Sequence, residues 1–180
     1  MMKKLTATLL MAALLLMGTA LAASHDANGI AFEYDDTVFE VAVDELDEEE
    51  AIVVLYAVDE TLENTFVSIS LAPLVDGETF PTLEEYIAET NDFETEEVNV
   101  EQLDEWLGFK DVYSYAYDVD NEEDGRYHSE TFTAPVTVDG EVKAVLEIYA
   151  NQDAIDDEDV STHISDAISG VLDSLKVTVE

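Results

Sequence analysis

The chain of 180 residues contains no cysteine, and only six lysines and arginines stand against 44 aspartates and glutamates. Without cysteine, no disulfide holds the fold, no thiolate serves as nucleophile or ligand, and no lipid is attached at an N-terminal cysteine. The shortage of cations sets a formal net charge of −38. Such a surface repels phosphate backbones, which excludes nucleic acid as a partner, and it disfavours an anionic membrane surface. Also missing are a Gly-x-Ser-x-Gly elbow, a Gly-rich phosphate loop and a His-Glu-x-x-His run, the usual marks of a serine hydrolase, a nucleotide enzyme and a zinc protease. His25, His128 and His163 lie far apart, without the spacing of a zinc site.

Long hydrophobic runs are scarce too. The one candidate, Leu5 to Met17, is too short to cross hydrocarbon comfortably and is followed at once by polar Ser24-His25-Asp26. Met1-Met2-Lys3-Lys4 precedes it, Gly18 loosens it, and Ala20-Leu21-Ala22 supplies the small-x-small pattern that signal peptidase accepts. Cleavage between Ala22 and Ala23 is therefore expected. Residues 1–22 then form a signal peptide, 23–29 a flexible leader and 30–180 a single acidic domain with no membrane anchor. The mature chain is expected as a monomer in the periplasm or outside the cell, with Lys110, Arg126, Lys143 and Lys176 as its fixed cations.

What is present argues for a folded domain. A hydrophobic fraction of 47%, with eight Tyr, seven Phe and one Trp, is too rich for a chain that cannot collapse. The acids are spread along the chain, not gathered in a tail. That spread favours adaptation of the surface to a saline medium, where self-repulsion is screened, over complementarity to one cationic partner.

Period-two alternation marks strands at Ile30 to Tyr34 and Phe39 to Val43. Ile52 to Val58 is apolar on both faces, as a strand covered on both sides would be, and Phe66 to Ala72 reads as its antiparallel partner. Pro81 and the Thr82-x-x-Glu85 capping box open a helix carrying Leu83, Tyr86, Ile87 and Thr90. A shorter helix is expected from Asn99, because Val100, Leu103, Trp106 and Leu107 share a helical face and Gly108 supplies a stop, with a strand that includes Val98 and Val100 as the alternative. Alternation returns at Phe109, reverses through 120–125, and continues as two strands, Tyr127 to Val138 and Val142 to Ala150, joined by Asp139-Gly140. Asp156 or Asp157 caps a final helix with Val160, Ile164, Ile168, Val171, Leu172 and Leu175 at helical spacing, and Val177 and Val179 alternate beyond it.

Runs of strands separated by helices predict an α+β class: one antiparallel sheet flanked by helices, an α/β/α sandwich. The Thr-Leu-Glu-Glu-Tyr-Ile helix, the tyrosine-rich strand, the Asp139-Gly140 hairpin and the closing "ISGVLDSLKV" of residues 168–177 resemble the PsbP/DcrB-like group over roughly residues 30–178. In that group a terminal helix commonly ends in the pattern seen at Leu172-Asp173-Ser174-Leu175-Lys176. The resemblance implies the same sandwich and a non-catalytic accessory or binding role, and it supplies no catalytic residue.

Two features carry chemistry. Asp118, Asp120, Glu122 and Asp124, followed by Gly125, alternate like the start of a calcium loop, but position twelve is Thr131 and strands flank it. An acidic hairpin turn is the better reading; weak calcium binding is the other. Tyr113, Tyr115 and Tyr117 form a stripe that would stack sugars or cationic side chains if exposed, and would be core or a cross-strand ladder if buried, the reading favoured. No cofactor beyond calcium is suggested. The expected function is an exported, non-catalytic binding or accessory protein whose partner is a protein or small ligand of the envelope. It would act through the acidic surface or a pocket between sheet and helix. A hydrolase using an unassigned carboxylate pair is the alternative.

Overall fold

A computed structural model describes residues 22–46, 50–75, 77–93, 98–121 and 125–179. Its strands are β1 (Ala22–Ala27), β2 (Ile30–Asp35), β3 (Phe39–Leu46), β4 (Ala51–Ala57), β5 (Phe66–Pro73), β6 (Glu101–Trp106), β7 (Phe109–Asn121), β8 (Gly125–Val138), β9 (Glu141–Asp153) and β10 (Lys176–Val177). Its helices are α1 (Leu83–Phe93) and α2 (Glu158–Ser174). A seven-stranded sheet runs in the order β3-β4-β5-β9-β8-β7-β6, and a three-stranded sheet in the order β1-β2-β10. All strand pairs are antiparallel.

Alternation decides which side chains are buried. Val53 and Leu55 of β4, Val67 and Ile69 of β5, and Leu146 and Ile148 of β9 are fully buried on one face of the large sheet. They join Ile30 and Phe32 of β2 with Ile164, Ala167 and Val171 of α2 in one core. The small sheet and α2 therefore close the same face of the large sheet. Asp157 caps α2 by accepting from the amides of Asp159 and Val160, and acids in the first turn suit the positive end of the helix dipole. At the far end Ser174 donates to the carbonyl of Glu33 while the Glu33 amide donates to Ser174 Oγ at 2.8 Å, which pins the helix terminus to β2.

This architecture corrects the expected α/β/α sandwich: the fold is β-rich, with two sheets. Two segments account for the difference. Residues 99–107 were expected to be helical, but Glu101–Trp106 is strand β6, paired with β7. Leu107 and Gly108 both have positive φ, 50° and 86°, the backbone of a tight hairpin turn, so Gly108 turns a hairpin and does not end a helix. Trp106 stacks on Phe132 with centroids 4.0 Å apart, a contact that rewards the strand. The second segment is 23–29, expected as a mobile leader, which lies in β1 and its turn. Asn28 and Gly29, with φ of 54° and 81°, make the hairpin, and His25 is buried against Phe32 at 5.0 Å.

Other expectations hold. The Thr82 amide donates to Glu85 Oε2 at 2.8 Å and the Glu85 amide to Thr82 Oγ1 at 3.3 Å, the reciprocal capping box. Asp139 and Gly140 turn the β8–β9 hairpin at φ 52° and 86°. The two-sided apolar character of β4 is only half used: Ile52 and Val54 are half-buried on its second face, and Tyr56 is exposed.

Candidate functional site

The second face of the large sheet carries the site. Antiparallel register aligns Tyr113, Thr133, Glu147, Ser70 and Ile52 in one row across β7, β8, β9, β5 and β4. The next row is Tyr115, Thr131, Tyr149, Ser68 and Val54. This face is thus hydroxyl-rich and aromatic, with one carboxylate set into it.

Helix α1 covers one part of the face. Tyr86 shares a hydrogen bond of 2.7 Å with Thr133 Oγ1, and the Tyr113 hydroxyl donates to the Pro81 carbonyl at 2.9 Å. The Tyr113 ring lies 5.0 Å from Tyr86 and 5.1 Å from Phe80, so these aromatics glue the helix and the loop before it to β7 and β8. Beside the helix remains a cavity of about 420 Å³ whose walls include Glu50, Tyr86, Glu89, Tyr115, Glu147 and Tyr149. No lysine, arginine or histidine among the described residues lines it.

Like charges gather here. Burial pushes the Glu147 carboxyl above the usual glutamate range, the carboxylates of Glu50 and Glu89 add to the rise, and a hydrogen bond with Thr133 only partly opposes it. Burial likewise raises the Tyr86 phenol. Thr131, 1% exposed, points to this same face, and its Oγ1 has no hydrogen-bond partner among the described residues. Its row neighbours Tyr115 and Tyr149 both line the cavity.

The tyrosine stripe divides accordingly. Tyr113 is buried under Phe80 and α1 as packing; Tyr115 is buried yet forms cavity wall; Tyr117 is half-buried and stacks on Tyr115 at 6.2 Å. Sequence reasoning singled out Tyr115 but missed Tyr86, Tyr149 and the three glutamates. The available signal was Val145-x-Glu147-x-Tyr149, where an acid interrupts the apolar second face of a strand.

The calcium-loop residues are not gathered with these. Asp118 and Asp120 sit on β7, not in a loop, each opposite a basic partner on β8. Asp118 Oδ1 lies 2.8 Å from His128 Nδ1, and Asp120 Oδ2 lies 3.7 Å from Arg126 Nε. Glu122 and Asp124 fall outside the described residues, as does Ala20 of the cleavage pattern, whereas Ala22 and Ala23 open β1. Among the described residues no three His, Asp or Glu side chains converge as a metal site. Compared with known protein families, the chain matches no family model, and it matches no curated protein.

Proposed function

We propose that this is an exported, non-catalytic binding or accessory protein that takes its ligand in the groove between α1 and the large sheet. One observation carries the reading: an open cavity of about 420 Å³, in the size range of small-ligand sites, whose walls combine aromatic rings with a few polar groups. A protein stabilised only for its own sake gains nothing from setting Glu147 into that face beside Glu50 and Glu89. The PsbP/DcrB-like resemblance adds the accessory-protein class, and the leader pattern at residues 1–22 adds export. The test is a thermal-shift screen of small ligands against the wild type and Ala72→Phe, which fills the groove. Hits that stabilise the wild type and are lost in the variant support the reading. Hits indifferent to the variant, or none, refute it.

A second reading is favoured by the same glutamate. A carboxyl whose hold on its proton is strengthened by burial beside other carboxylates is the arrangement of a general acid and its partner, as in a glycoside hydrolase. Turnover of chromogenic glycosides that disappears in Glu147→Gln, while ligand binding persists, would replace the binding reading with this one.

A further inference from the structure

We infer that the groove receives a compact alkylammonium group, held by its carboxylates along a tyrosine-lined wall; the inference rests on the groove being the binding site. Two sources share that chemistry, a free primary amine and a lysine side chain.

Four observations converge. Glu50 from the segment before β4, Glu89 from α1 and Glu147 from β9 approach the cavity from three separate elements, so the fold, not a local run of acids, brings them to it. Second, the described residues lining the cavity include no cation, in a chain with only four lysines and arginines after residue 22, two of which pair elsewhere as Arg126 with Asp120 and Lys143 with Glu141. A partly buried carboxylate with like-charged neighbours and a fixed cation absent from the walls favours a cation supplied from outside. Third, the walls suit an organic cation better than a bare metal ion. Among the described residues no three acidic or histidine side chains stand close enough together to hold a metal ion, whereas Tyr86, Tyr115 and Tyr149, with Ala72 and Val145, offer aromatic and apolar surface for a carbon stem. Fourth, Thr131 Oγ1, 1% exposed and unpartnered among the described residues, lies on the groove side of the sheet between Tyr115 and Tyr149 in register, next to the lining and not part of it.

An ammonium head has three donors and no acceptor, which matches a wall of carboxylates and hydroxyls and explains why the opposite charge is lacking. Enclosure also matters for specificity. Salt screens the exposed acids of this surface within a few ångströms at high ionic strength, but screens a partly enclosed pair much less.

The experiment is chemical-shift mapping and calorimetry on the protein with n-butylammonium chloride, compared with 1-butanol and sodium butyrate at matched ionic strength. Saturable shifts at Tyr86, Glu89, Glu147 and Tyr149, with butylammonium binding at least tenfold tighter than butanol, are expected. Glu147→Gln should weaken that binding severalfold while its melting temperature confirms that it folds. N-acetyl-lysine methylamide binding more tightly than butylammonium assigns the site to a peptide lysine; the reverse assigns it to a free amine. Butanol or butyrate binding in the groove as tightly as the cation overturns the charge inference and leaves the groove as the site. No probe perturbing the groove overturns both.

Discussion

Glu147 shows how one side chain ties stability to function. Its folded-state pKa lies above its unfolded value, chiefly through burial, so the folded protein binds this proton more readily than the unfolded chain. Stability from this group is therefore greatest at low pH and falls as pH rises through the window from the ordinary glutamate value to the raised one. Glu147→Gln keeps the shape and removes the charge. At neutral pH it should raise stability and flatten the pH dependence, as read by denaturant melts across pH. His128 shifts stability in the same sense through different causes. Desolvation lowers its pKa, but hydrogen bonds and charge from Asp118 and Glu130 more than offset that, so the net shift is upward. Its stabilising contribution is full below the unfolded value and is lost as pH rises through the folded one. Asp118→Asn should lower the His128 pKa, which an NMR titration of the imidazole reads directly; an unchanged value would mean that the 2.8 Å contact does not exist in solution.

Elements were legible where two signals agreed and misread where one signal had two meanings. Helix α1 had a capping box and an apolar stripe, and α2 had an acidic N-terminus and a run of apolar residues; both form. The β7–β8–β9 meander was visible from its alternation and from Asp139-Gly140. The segment 99–107 was ambiguous because Val100, Leu103 and Trp106 satisfy a helical spacing, while Leu103 and Trp106 also take up strand register against Val112 and Phe109. Gly108 was read as a stop when the positive φ of Leu107 and Gly108 makes it a hairpin. Asn28-Gly29 was overlooked although Asn-Gly is itself a strong hairpin dipeptide. The groove was harder still, since Glu89 and Glu147 meet only through tertiary packing and nothing in 44 acids distinguishes them beforehand. One non-local contact is testable at this scale. Asp153 at the end of β9 accepts from the Asn64 amide at 2.9 Å, the Asn64 side chain at 3.0 Å and Thr65 Oγ1 at 3.0 Å, tying the β4–β5 connection down. Asp153→Ala should cost about 2–3 kcal/mol, because it leaves the donors of a partly buried site without their charged acceptor. Chemical denaturation measures that loss, and hydrogen exchange should show it concentrated at residues 59–65.

At the scale of the molecule, charge and topology support one another. The strands at both ends of the large sheet carry exposed acids, Glu40, Asp44 and Glu45 on β3 and Glu101, Asp104 and Glu105 on β6. Like charge on both edges discourages one copy from extending the sheet of another. The same density of acids repels itself across the folded surface. Melting temperature should therefore climb as sodium chloride rises from about 0.01 M to about 1 M, over which the Debye length falls from roughly 30 Å to roughly 3 Å. A melting temperature independent of salt would show that self-repulsion is not limiting, and would remove the case for a surface adapted to saline surroundings. The fold class was less legible than the elements. Helix count and order suggested layers of helix on either side of one sheet, but the strands formed by residues 22–27 and 176–177 build a second sheet that takes one helix's share of that covering.

That small sheet is made from both ends of the described chain. The Thr178 amide donates to the Gly29 carbonyl at 2.8 Å, so closely that a Cβ on Gly29 would meet Thr178 O at 2.4 Å. Glu33 and Ser174, 141 residues apart, are hydrogen-bonded. Folding therefore cannot finish by stages from the N-terminus: one wall of the core waits for α2 and β10, the last described elements to be made. Under the proposed export, the fold stays incomplete until α2 and β10 have crossed the membrane. Contacts between the most distant described elements then close the structure.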